Sequence, residues 1–495
     1  MNSSTSVVII GAGPAGLSAA YELSKHERTS VVLEASDTVG GISRTARYKN
    51  YLFDMGGHRF FTKVTAVNKM WKEVLGNDFL TRPRLSRIYY KSRFFHYPLQ
   101  PMNALFGLGI FEAARCGFSY LKACAFPQKP EDNFETWVSN RFGKRLFQIF
   151  FKSYTEKVWG MPCHEISADW AAQRIRGLSM RSLIWNALFA NKIDSGIKTL
   201  IHEFQYPRKG PGMMWERTKE IVEERGSKVL FQSPVQKIQW EPGRVTAVVA
   251  AGRTYRGEHF ISSMPIRQLI QALDPAPPEA VAKAAGDFSY RDFLTVALIV
   301  RGKDLFPDNW IYIHDPRVRV GRIQNYNNWS PEMVPDASTT CLGLEYFCTE
   351  GDDIWDMPDD QLLALAKKEI HQLGLADAGA VVDGTVVRVP KAYPIYDDKY
   401  QHGLAAVREF LASVPNLQLT GRNGMHRYNN QDHSMLTAIL AARNIMGAHY
   451  NLWDINVDSE YHEAGGEITE DELRALDASQ PLVPQAVATT TGYAL

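Results

Sequence analysis

The sequence lacks the features that mark secreted, membrane-spanning and nucleic-acid-binding proteins. Its 495 residues include only five cysteines, with no CxxC pair and no framework spacing. Such cysteines are expected to be reduced thiols, as in a cytoplasmic protein. The charge is nearly balanced, with 55 basic and 54 acidic residues, so there is no excess of positive charge that would indicate a nucleic-acid partner. The first residues lack a basic segment followed by a cleavable apolar stretch, which predicts no signal peptide.

Long hydrophobic runs are also missing. The longest apolar-leaning segment, residues 104–126, is interrupted by Glu112, Arg115 and Lys122. These charges argue against a membrane span. We interpret the segment as a helix of a substrate domain, and an amphipathic helix lying on a membrane surface is the alternative.

A glycine-rich stretch near the N-terminus, VVIIGAGPAG, is typical of a dinucleotide site. The apolar run Val7–Ile10 predicts a buried strand, the glycines a tight turn, and the following residues a helix whose N-terminus can bind a pyrophosphate. A second predicted strand ends in Glu34, where a carboxylate would hold a ribose diol and repel a 2′-phosphate, which favours FAD or NAD over NADP. The alternative is a glycine turn of another α/β protein. The predicted cofactor residues here are Gly11, Gly13, Pro14, Ala15, Gly16 and Glu34.

Two further glycine pairs follow. The first, at residues 40–41 and closely followed by Arg44, resembles the second flavin signature of the amine oxidase and glutathione reductase-like FAD enzymes. This resemblance implies FAD as the cofactor. The second pair precedes a histidine, where that superfamily brings backbone to the flavin ring. The residues implicated are Gly41, Arg44, Gly56, Gly57 and His58.

The chain is too long for one compact core, and two or three domains are expected. Strand and helix patterns predict an α/β fold: a Rossmann-like FAD-binding domain of the glutathione reductase type, with an inserted helical lobe and a mixed β-sheet substrate domain. The predicted parts are an FAD-binding domain at 1–90, 206–290 and 416–465, a mostly helical lobe at 91–205, a mixed-sheet substrate domain at 291–415, and a C-terminal tail at 466–495 expected to be partly disordered.

Local patterns give more specific expectations. Helices are predicted at 104–122, 134–142 and 144–152, a hairpin at 89–100, and a loop at 206–213. Asn133 is the expected N-cap of the second helix, and Ser92 is expected in the hairpin turn. Thr469 and Glu472 have the spacing of a capping box.

Several ordered blocks resemble the UDP-galactopyranose mutases, especially the longer eukaryotic-type members, over residues 7–445. The blocks are GAGPAG, GGHRF, YPLQ, KVWGMP at 157–162, AAQRI at 171–175, WIY at 310–312, Arg322 with Asn325 and Tyr326, Tyr393 with Pro394, and GRNGMHRYNNQDHS at 421–434. The resemblance implies a mutase that interconverts the pyranose and furanose forms of a UDP-hexose. In that family, N5 of reduced FAD attacks the anomeric carbon and displaces the nucleoside diphosphate, with no net redox change.

The resemblance also implies roles for individual residues. Arg174 and Arg322 match the two cations on the pyrophosphate, where arginine suits the leaving group through its planar fork and fixed charge. With His58, beside flavin N5, they are the expected catalytic residues. The other expected substrate contacts are Tyr97, Gln100, Phe150, Phe151, Trp159, Trp310, Tyr312, Tyr393 and Tyr428. Further cofactor contacts are expected at Val235, Gly421, Arg422, Asp432 and Ser434.

The sequence is also compatible with other interpretations. The same N-terminal motifs would serve an FAD oxidase or desaturase of the amine oxidase or protoporphyrinogen oxidase type, or a flavoprotein-like binding subunit without turnover. Taken singly, the arginines could be ordinary surface charges and the tyrosines core aromatics. No metal site is predicted, NADH or NADPH is expected at most as a transient reductant, and homo-oligomerisation is left open.

Overall fold

The computed structural model describes residues 6–97, 99, 101–168, 203–396, 400–455 and 468–475. Two predicted site residues, Gln100 and Arg174, lie outside this part of the chain, as does the end of the tail after residue 475.

The strands and helices are numbered in chain order over the described residues. The strands are β1 (Val7–Ile10), β2 (Ser30–Leu33), β3 (Thr45–Tyr48), β4 (Tyr51–Asp54), β5 (Phe79–Pro83), β6 (Ser86–Tyr90), β7 (Arg93–His96), β8 (Glu203–Pro207), β9 (Lys228–Leu230), β10 (Val235–Glu241), β11 (Arg244–Ala250), β12 (Arg253–Arg256), β13 (His259–Ser262), β14 (Leu273–Asp274), β15 (Tyr290–Arg301), β16 (Trp310–Ile313), β17 (Arg322–Asn325), β18 (Thr339–Cys348), β19 (Val381–Pro394) and β20 (Leu417–Leu419). The helices are α1 (Pro14–Lys25), α2 (Thr65–Leu75), α3 (Pro101–Leu108), α4 (Ile110–Ala125), α5 (Phe134–Phe142), α6 (Lys144–Phe147), α7 (Ser153–Trp159), α8 (Gly212–Glu224), α9 (Ile266–Gln271), α10 (Glu279–Gly286), α11 (Tyr326–Trp329), α12 (Asp359–Gln372), α13 (Tyr400–Ala412), α14 (Gly421–Gly424), α15 (Gln431–Ile445) and α16 (Glu470–Ala475).

A five-stranded parallel sheet carries the glycine-rich stretch. Its order is β20-β13-β1-β2-β9, and every neighbouring pair is parallel. All four residues of β1 are buried, as expected for a parallel strand covered on both faces. Helix α1 packs against α15, which closes this part of the chain. The predicted Rossmann-like domain is therefore confirmed.

A seven-stranded mixed sheet forms the second layer, in the order β19-β15-β18-β17-β16-β6-β7. Neighbours are antiparallel except β16 and β6, which are parallel. The hairpin β6–β7 forms one edge of this sheet. Its turn lies at Lys91 and Ser92, with φ of 48° and 59°, as predicted for a tight hairpin turn. The sheet carries Arg322 on β17, so it forms a wall of the site described below.

The main core lies between the parallel sheet and its helices. Trp71 of α2 and Trp215 of α8 are fully buried in it and meet edge to face, with ring centroids 6.1 Å apart. A second core lies between the seven-stranded sheet and α12, and a third fills the helical lobe.

The helical lobe differs from its prediction in two places. The single helix predicted at 104–122 is two helices, α3 and α4, because Gly109 has φ of +83° and interrupts the helical hydrogen bonding. The helix predicted at 144–152 begins as α6, continues as a π-helical turn over Gln148–Lys152, and runs on as α7 to Trp159. Helix α5 has its predicted bounds. Within the described ranges, no helix is long and apolar enough to cross a lipid bilayer.

One predicted loop contains a strand. Residues 206–213 were expected to be a loop, but Tyr206 and Pro207 belong to β8, which pairs antiparallel with β5. Long-range pairing overrides the local proline and glycine signals there. The caps agree with their predictions: Thr136 N–H donates to Asn133 Oδ1 at 3.0 Å, and the Thr469–Glu472 capping box is formed. All five cysteines are free thiols.

Candidate active site

A cavity of about 740 Å³ opens at the carboxyl ends of the parallel strands. Ile10 ends β1, Leu33 ends β2, and both line this space together with Gly421, which follows β20 closely. In open α/β sheets, ligands bind at this edge of the strands. We call this space the outer cavity.

The glycine turn at the N-terminus of α1 has the geometry of a pyrophosphate cradle. Gly11 has φ of +99°, and a Cβ at this position would lie 2.3 Å from Ser263 Oγ. A Cβ on Gly16 would lie 1.8 Å from the carbonyl oxygen of Gly11, so only glycine lets the helix approach the turn this closely. Gly13 is the N-cap of α1, whose first N–H groups have no partner within the helix. These groups and the helix dipole suit the phosphates of a dinucleotide.

Glu34 is held rigidly at the end of β2. Its Oε2 accepts the N–H of Ala12 at 2.7 Å, and its Oε1 accepts the N–H and the hydroxyl of Ser36 at 2.9 and 2.8 Å. A carboxylate oxygen has about two acceptor positions, so Oε2 keeps one for a ligand hydroxyl. Glu34 lines the outer cavity, which agrees with its predicted contact to a ribose.

The walls of the outer cavity also carry polar groups that fit a bound dinucleotide. Gln431 Nε2 and Asn423 Oδ1 are buried and make no hydrogen bond within the described part of the chain. Together with the cradle and Glu34, they fit an adenine dinucleotide such as FAD. The predicted cofactor residues that line this cavity are Gly11, Gly13, Pro14, Ala15, Glu34, Gly41, Arg44, His58, Val235, Gly421, Arg422 and Ser434.

A second cavity of about 250 Å³ adjoins the first, and we call it the inner cavity. The two share five lining residues, which are Ile42, Met55, His58, Arg422 and Gln431. The inner cavity brings together predicted residues from four distant parts of the chain, namely Gly56, Gly57, His58, Arg322, Tyr393, Arg422, Tyr428 and Asp432. A group bound here lies next to whatever occupies the inner end of the outer cavity.

Arg322 is held in the inner cavity by a carboxylate on the neighbouring strand. Arg322 on β17 and Glu345 on β18 are directly opposite, and Arg322 donates from Nε to Glu345 Oε2 at 2.7 Å. Gln324 Nε2 donates to the other oxygen, Oε1, at 2.8 Å. Burial alone would lower the pKa of the Arg322 guanidinium, but the Glu345 carboxylate outweighs it and raises that pKa well above its usual value. Arg322 therefore carries a fixed positive charge.

The remaining donor of Arg322 is available to a ligand. Its Nε and Nη2 both donate to Glu345 Oε2. Nη1 makes no hydrogen bond to any described residue, and Arg322 lines the inner cavity. A guanidinium with one free edge is suited to an anionic oxygen.

Arg422 and two tyrosines form the opposite side of the inner cavity. Tyr393 and Tyr428 stack with their ring centroids 5.7 Å apart and their planes 11° apart. The guanidinium of Arg422 lies 5.3 and 5.1 Å from these centroids. Arg422 also donates to the carbonyl oxygens of Ala392 and Asn429 at 2.8 Å. Arg422 thus fixes the rings of Tyr393 and Tyr428 relative to strand β19.

His58 is neutral. Burial, and then the charges of Arg422 and Arg322, lower its pKa to about 3. Its Nδ1 lies 3.2 Å from the carbonyl oxygen of Gly56, which can only accept, so Nδ1 carries the hydrogen. Nε2 is therefore an acceptor, and the ring lines both cavities.

The other predicted substrate residues lie outside both cavities. Phe150 and Trp159 are buried in the core of the lobe, and Phe151 packs on that core. Trp310 is buried and stacks on Trp329 at 5.3 Å. Their packing gives these aromatics a structural role, and their contact with substrate stays a prediction.

Tyr97 and Tyr312 pack together instead, with ring centroids 4.7 Å apart. Tyr97 is 43% exposed. Tyr312 also meets Tyr154 edge to face at 5.5 Å. Arg174 and Gln100 fall outside the described residues. Gly16 lies behind the glycine turn, where it serves packing.

Sequence reasoning missed Gln431 and Asn423 of the outer cavity and three residues around Arg322. Glu345 binds Arg322, and Gln324 binds the other oxygen of Glu345. Tyr154 is close enough for the charge of Arg322 to act on the pKa of its hydroxyl, which burial raises. The sequence did contain a sign of Glu345, because this residue is the one acid inside the apolar strand Thr339–Cys348. A buried acid in such a strand requires a buried partner.

Comparisons with known proteins support the fold. The chain's fold is similar to that of reduced UDP-galactopyranose mutase, with a TM-score of 0.78, 23% identity, and coverage of 90% of this chain and 96% of that one. It is also similar to putrescine oxidase, with a TM-score of 0.61, 17% identity, and coverage of 90% and 99%.

An L-amino-acid oxidase from Crotalus adamanteus is 48% identical over 67 residues, which are 14% of this chain and 13% of the relative. The chain therefore matches only a small part of the length of such curated relatives. The family model described as flavin containing amine oxidoreductase matches residues 14–446. The match covers most of the chain and implies a flavin cofactor, and the chain belongs to the flavin-containing amine oxidoreductase family.

Proposed function

We propose that the chain is an FAD-dependent sugar-nucleotide mutase that interconverts the pyranose and furanose forms of a UDP-hexose. The observation that carries the proposal is the buried cation Arg322, fixed by Glu345 beside the flavin site, with Nη1 available. A cation in that position suits a reaction in which a diphosphate leaves from, and returns to, a carbon next to the flavin.

The proposed role of each group follows from its chemistry. Reduced FAD, when bound, supplies the nucleophile that attacks the anomeric carbon. Arg322 stabilises the negative charge that grows on the departing diphosphate, and its charge does not depend on pH in the working range. Tyr393 and Tyr428 donate hydrogen bonds to phosphate oxygens.

Other parts of the site have supporting roles. His58, being neutral with Nε2 as an acceptor, orients a hydroxyl or a flavin N–H rather than adding a third cation. Arg422 holds the tyrosine pair in place. Arg174 is proposed as the second cation on the diphosphate, and the reductant is proposed to be NADH or NADPH, bound transiently.

An oxidase is the second candidate. The family match favours redox chemistry, and a guanidinium such as Arg322 would also bind the carboxylate of an amino acid or a porphyrinogen. A simple amine fits less well, because three arginines, Arg59, Arg322 and Arg422, line the inner cavity against one acid, Asp432, and this excess of positive charge would repel an ammonium group. Oxygen consumption with amines, amino acids, porphyrinogens and polyenes distinguishes this candidate.

The test of the proposal is a UDP titration of the purified, dithionite-reduced protein, followed by flavin fluorescence. We expect saturable UDP binding that Arg322→Ala weakens by about 2–4 kcal/mol and that Arg322→Lys only partly restores. Arg319→Ala is a matched control, since Arg319 lies on the same segment but pairs with Asp353 at the surface, at 2.6 Å.

Two outcomes would overturn the proposal. One is the absence of binding by UDP and by other nucleoside diphosphates while the flavin is fully retained. The other is UDP binding that Arg322→Ala and Arg319→Ala reduce equally, because the binding site would then lie elsewhere. Oxygen consumption on the substrate panel, without UDP binding, would transfer the assignment to the oxidase.

A further inference from the structure

Most of the exposed large apolar side chains lie on two consecutive helices. Among the described residues, eight large hydrophobic side chains are strongly exposed, and six of them belong to α3, α4 or the residue after α4. They are Phe106, Ile110, Phe111, Phe118, Leu121 and Phe126, with exposed fractions from 63% to 86%. We call this set the apolar face. Single exposed hydrophobics are ordinary, but a cluster of this size marks an interaction surface.

The opposite side of α4 is fixed to the lobe, so the apolar face is the outer side of a well-packed helix. Cys116 is buried, and Ser119 Oγ accepts the backbone N–H of Arg145 at 3.0 Å. A Cβ on Gly143 would lie 2.7 Å from the backbone nitrogen of Tyr120, which shows how closely α4 lies against the junction of α5 and α6. Rotating α4 to bury its phenylalanines would break these contacts.

The exposed charged side chains of α4 are positive. Arg115 and Lys122 are exposed on α4, seven residues apart and therefore on the same side of the helix. Glu112 is the one acid within residues 101–126; it pairs closely with Arg145 of the lobe and more loosely with Arg115, at 3.8 Å. Arg93 is also exposed beside α3 and donates to the carbonyl oxygen of Gly107 at 2.6 Å.

We propose that the apolar face is a docking surface for the interface of a lipid bilayer with anionic headgroups. An outer face of phenylalanine, leucine and isoleucine, edged by arginine and lysine, is the pattern of a helix that lies in the plane of a membrane. The apolar rings enter the boundary between headgroups and acyl chains, and the cations contact lipid phosphates.

A second copy of the chain fits this face less well. A twofold contact places the same patch against itself, so Arg115 and Lys122 would meet the same cations of the other copy. The one acid of the segment, Glu112, already pairs with Arg145 and Arg115 of its own chain, so it adds no further negative charge to such a contact. Anionic lipid supplies the missing negative charge.

The test is flotation of the full-length, flavin-loaded protein with vesicles of phosphatidylcholine alone and of phosphatidylcholine with phosphatidylglycerol. We expect the protein to float with the anionic vesicles. The double variant Phe111→Ser/Phe118→Ser should weaken this binding by roughly tenfold or more, because two exposed rings no longer enter the bilayer. Val382→Ser is the matched control, since Val382 is 48% exposed on β19, outside the lobe.

The charge contribution is tested separately. Arg115→Gln/Lys122→Gln should lose the preference for anionic vesicles, roughly fivefold for each charge removed. Failure of the protein to float with either vesicle would overturn the proposal, as would flotation that the phenylalanine variant leaves unchanged. A dimer in lipid-free sedimentation equilibrium that the phenylalanine variant converts to a monomer, without flotation, would assign the face to a second copy. Flavin content and melting temperature report on folding of every variant.

Discussion

The guanidinium of Arg322 and the carboxylate of Glu345 form an ion pair between two neighbouring strands, with Nε 2.7 Å from Oε2. The Glu345 side chain is fully buried, and the Arg322 side chain is 16% exposed through the inner cavity. The pair explains how a permanent positive charge can be maintained next to a flavin site. Because Glu345 uses one oxygen for Arg322 and the other for Gln324, the carboxylate also fixes the direction of the free Nη1.

The first prediction separates stability from binding at this pair. Glu345→Gln leaves a buried arginine without its countercharge and should lower the free energy of unfolding by about 3–5 kcal/mol. The double variant Arg322→Met/Glu345→Leu should recover much of this loss, because both charges are removed together. Urea unfolding measures both effects. UDP binding should be absent in the double variant, and a double variant as unstable as Glu345→Gln would contradict the assigned pairing.

The second prediction concerns the glycine turn. Gly16→Ala places a Cβ 1.8 Å from the carbonyl oxygen of Gly11, so α1 must move away from the turn. We expect purified Gly16→Ala to contain much less flavin per chain than the unchanged protein, measured by visible absorbance. Gly286→Ala is the control, because a Cβ there meets nothing within 4 Å. Full flavin content in Gly16→Ala would refute the assignment of the turn.

The third prediction is a pH dependence of stability due to Asp54. Burial raises the pKa of its carboxyl to about 7, although hydrogen bonds from Tyr206 and Thr45 oppose this shift. In the unfolded chain the same group loses its proton near its ordinary pKa of 3.8. Between these values the folded state binds more protons, so the Asp54 contribution makes the protein less stable as pH rises towards 7.

Asp54→Asn should remove this contribution while other groups titrate as before. The difference in unfolding free energy, variant minus unchanged protein, should therefore grow by about 2–3 kcal/mol between about pH 5 and about pH 7. Denaturant unfolding at the two pH values measures it. Parallel pH profiles for the two proteins would show that Asp54 does not retain its proton in the folded state.

Short-range signals in the sequence were sufficient to predict the glycine turn and its neighbouring strands and helix. The strand, glycines, helix and acid of residues 7–34 lie close together along the chain, and each has a local physical requirement. The hairpin turn at Lys91 and Ser92, and the cap at Asn133, were predictable for the same reason.

Features that depend on long-range pairing were not predictable from local patterns. Glu345 is 23 residues from Arg322 and meets it only because β17 and β18 pair in one register. Strand β8 exists because β5 is available to pair with it. Gly109 was visible in the sequence, but a glycine can remain helical, and only its positive φ ends α3.

The most direct test of the account is turnover. Dithionite-reduced protein is incubated without oxygen with UDP-galactopyranose and, separately, with related UDP-hexoses, and the products are separated by chromatography. The account predicts a furanose form of at least one of these sugars, no net consumption of reductant, and loss of activity in Arg322→Ala but not in Arg319→Ala. No furanose from any UDP-hexose, together with oxygen consumption on an amine, amino acid or porphyrinogen, would contradict it and establish an oxidase.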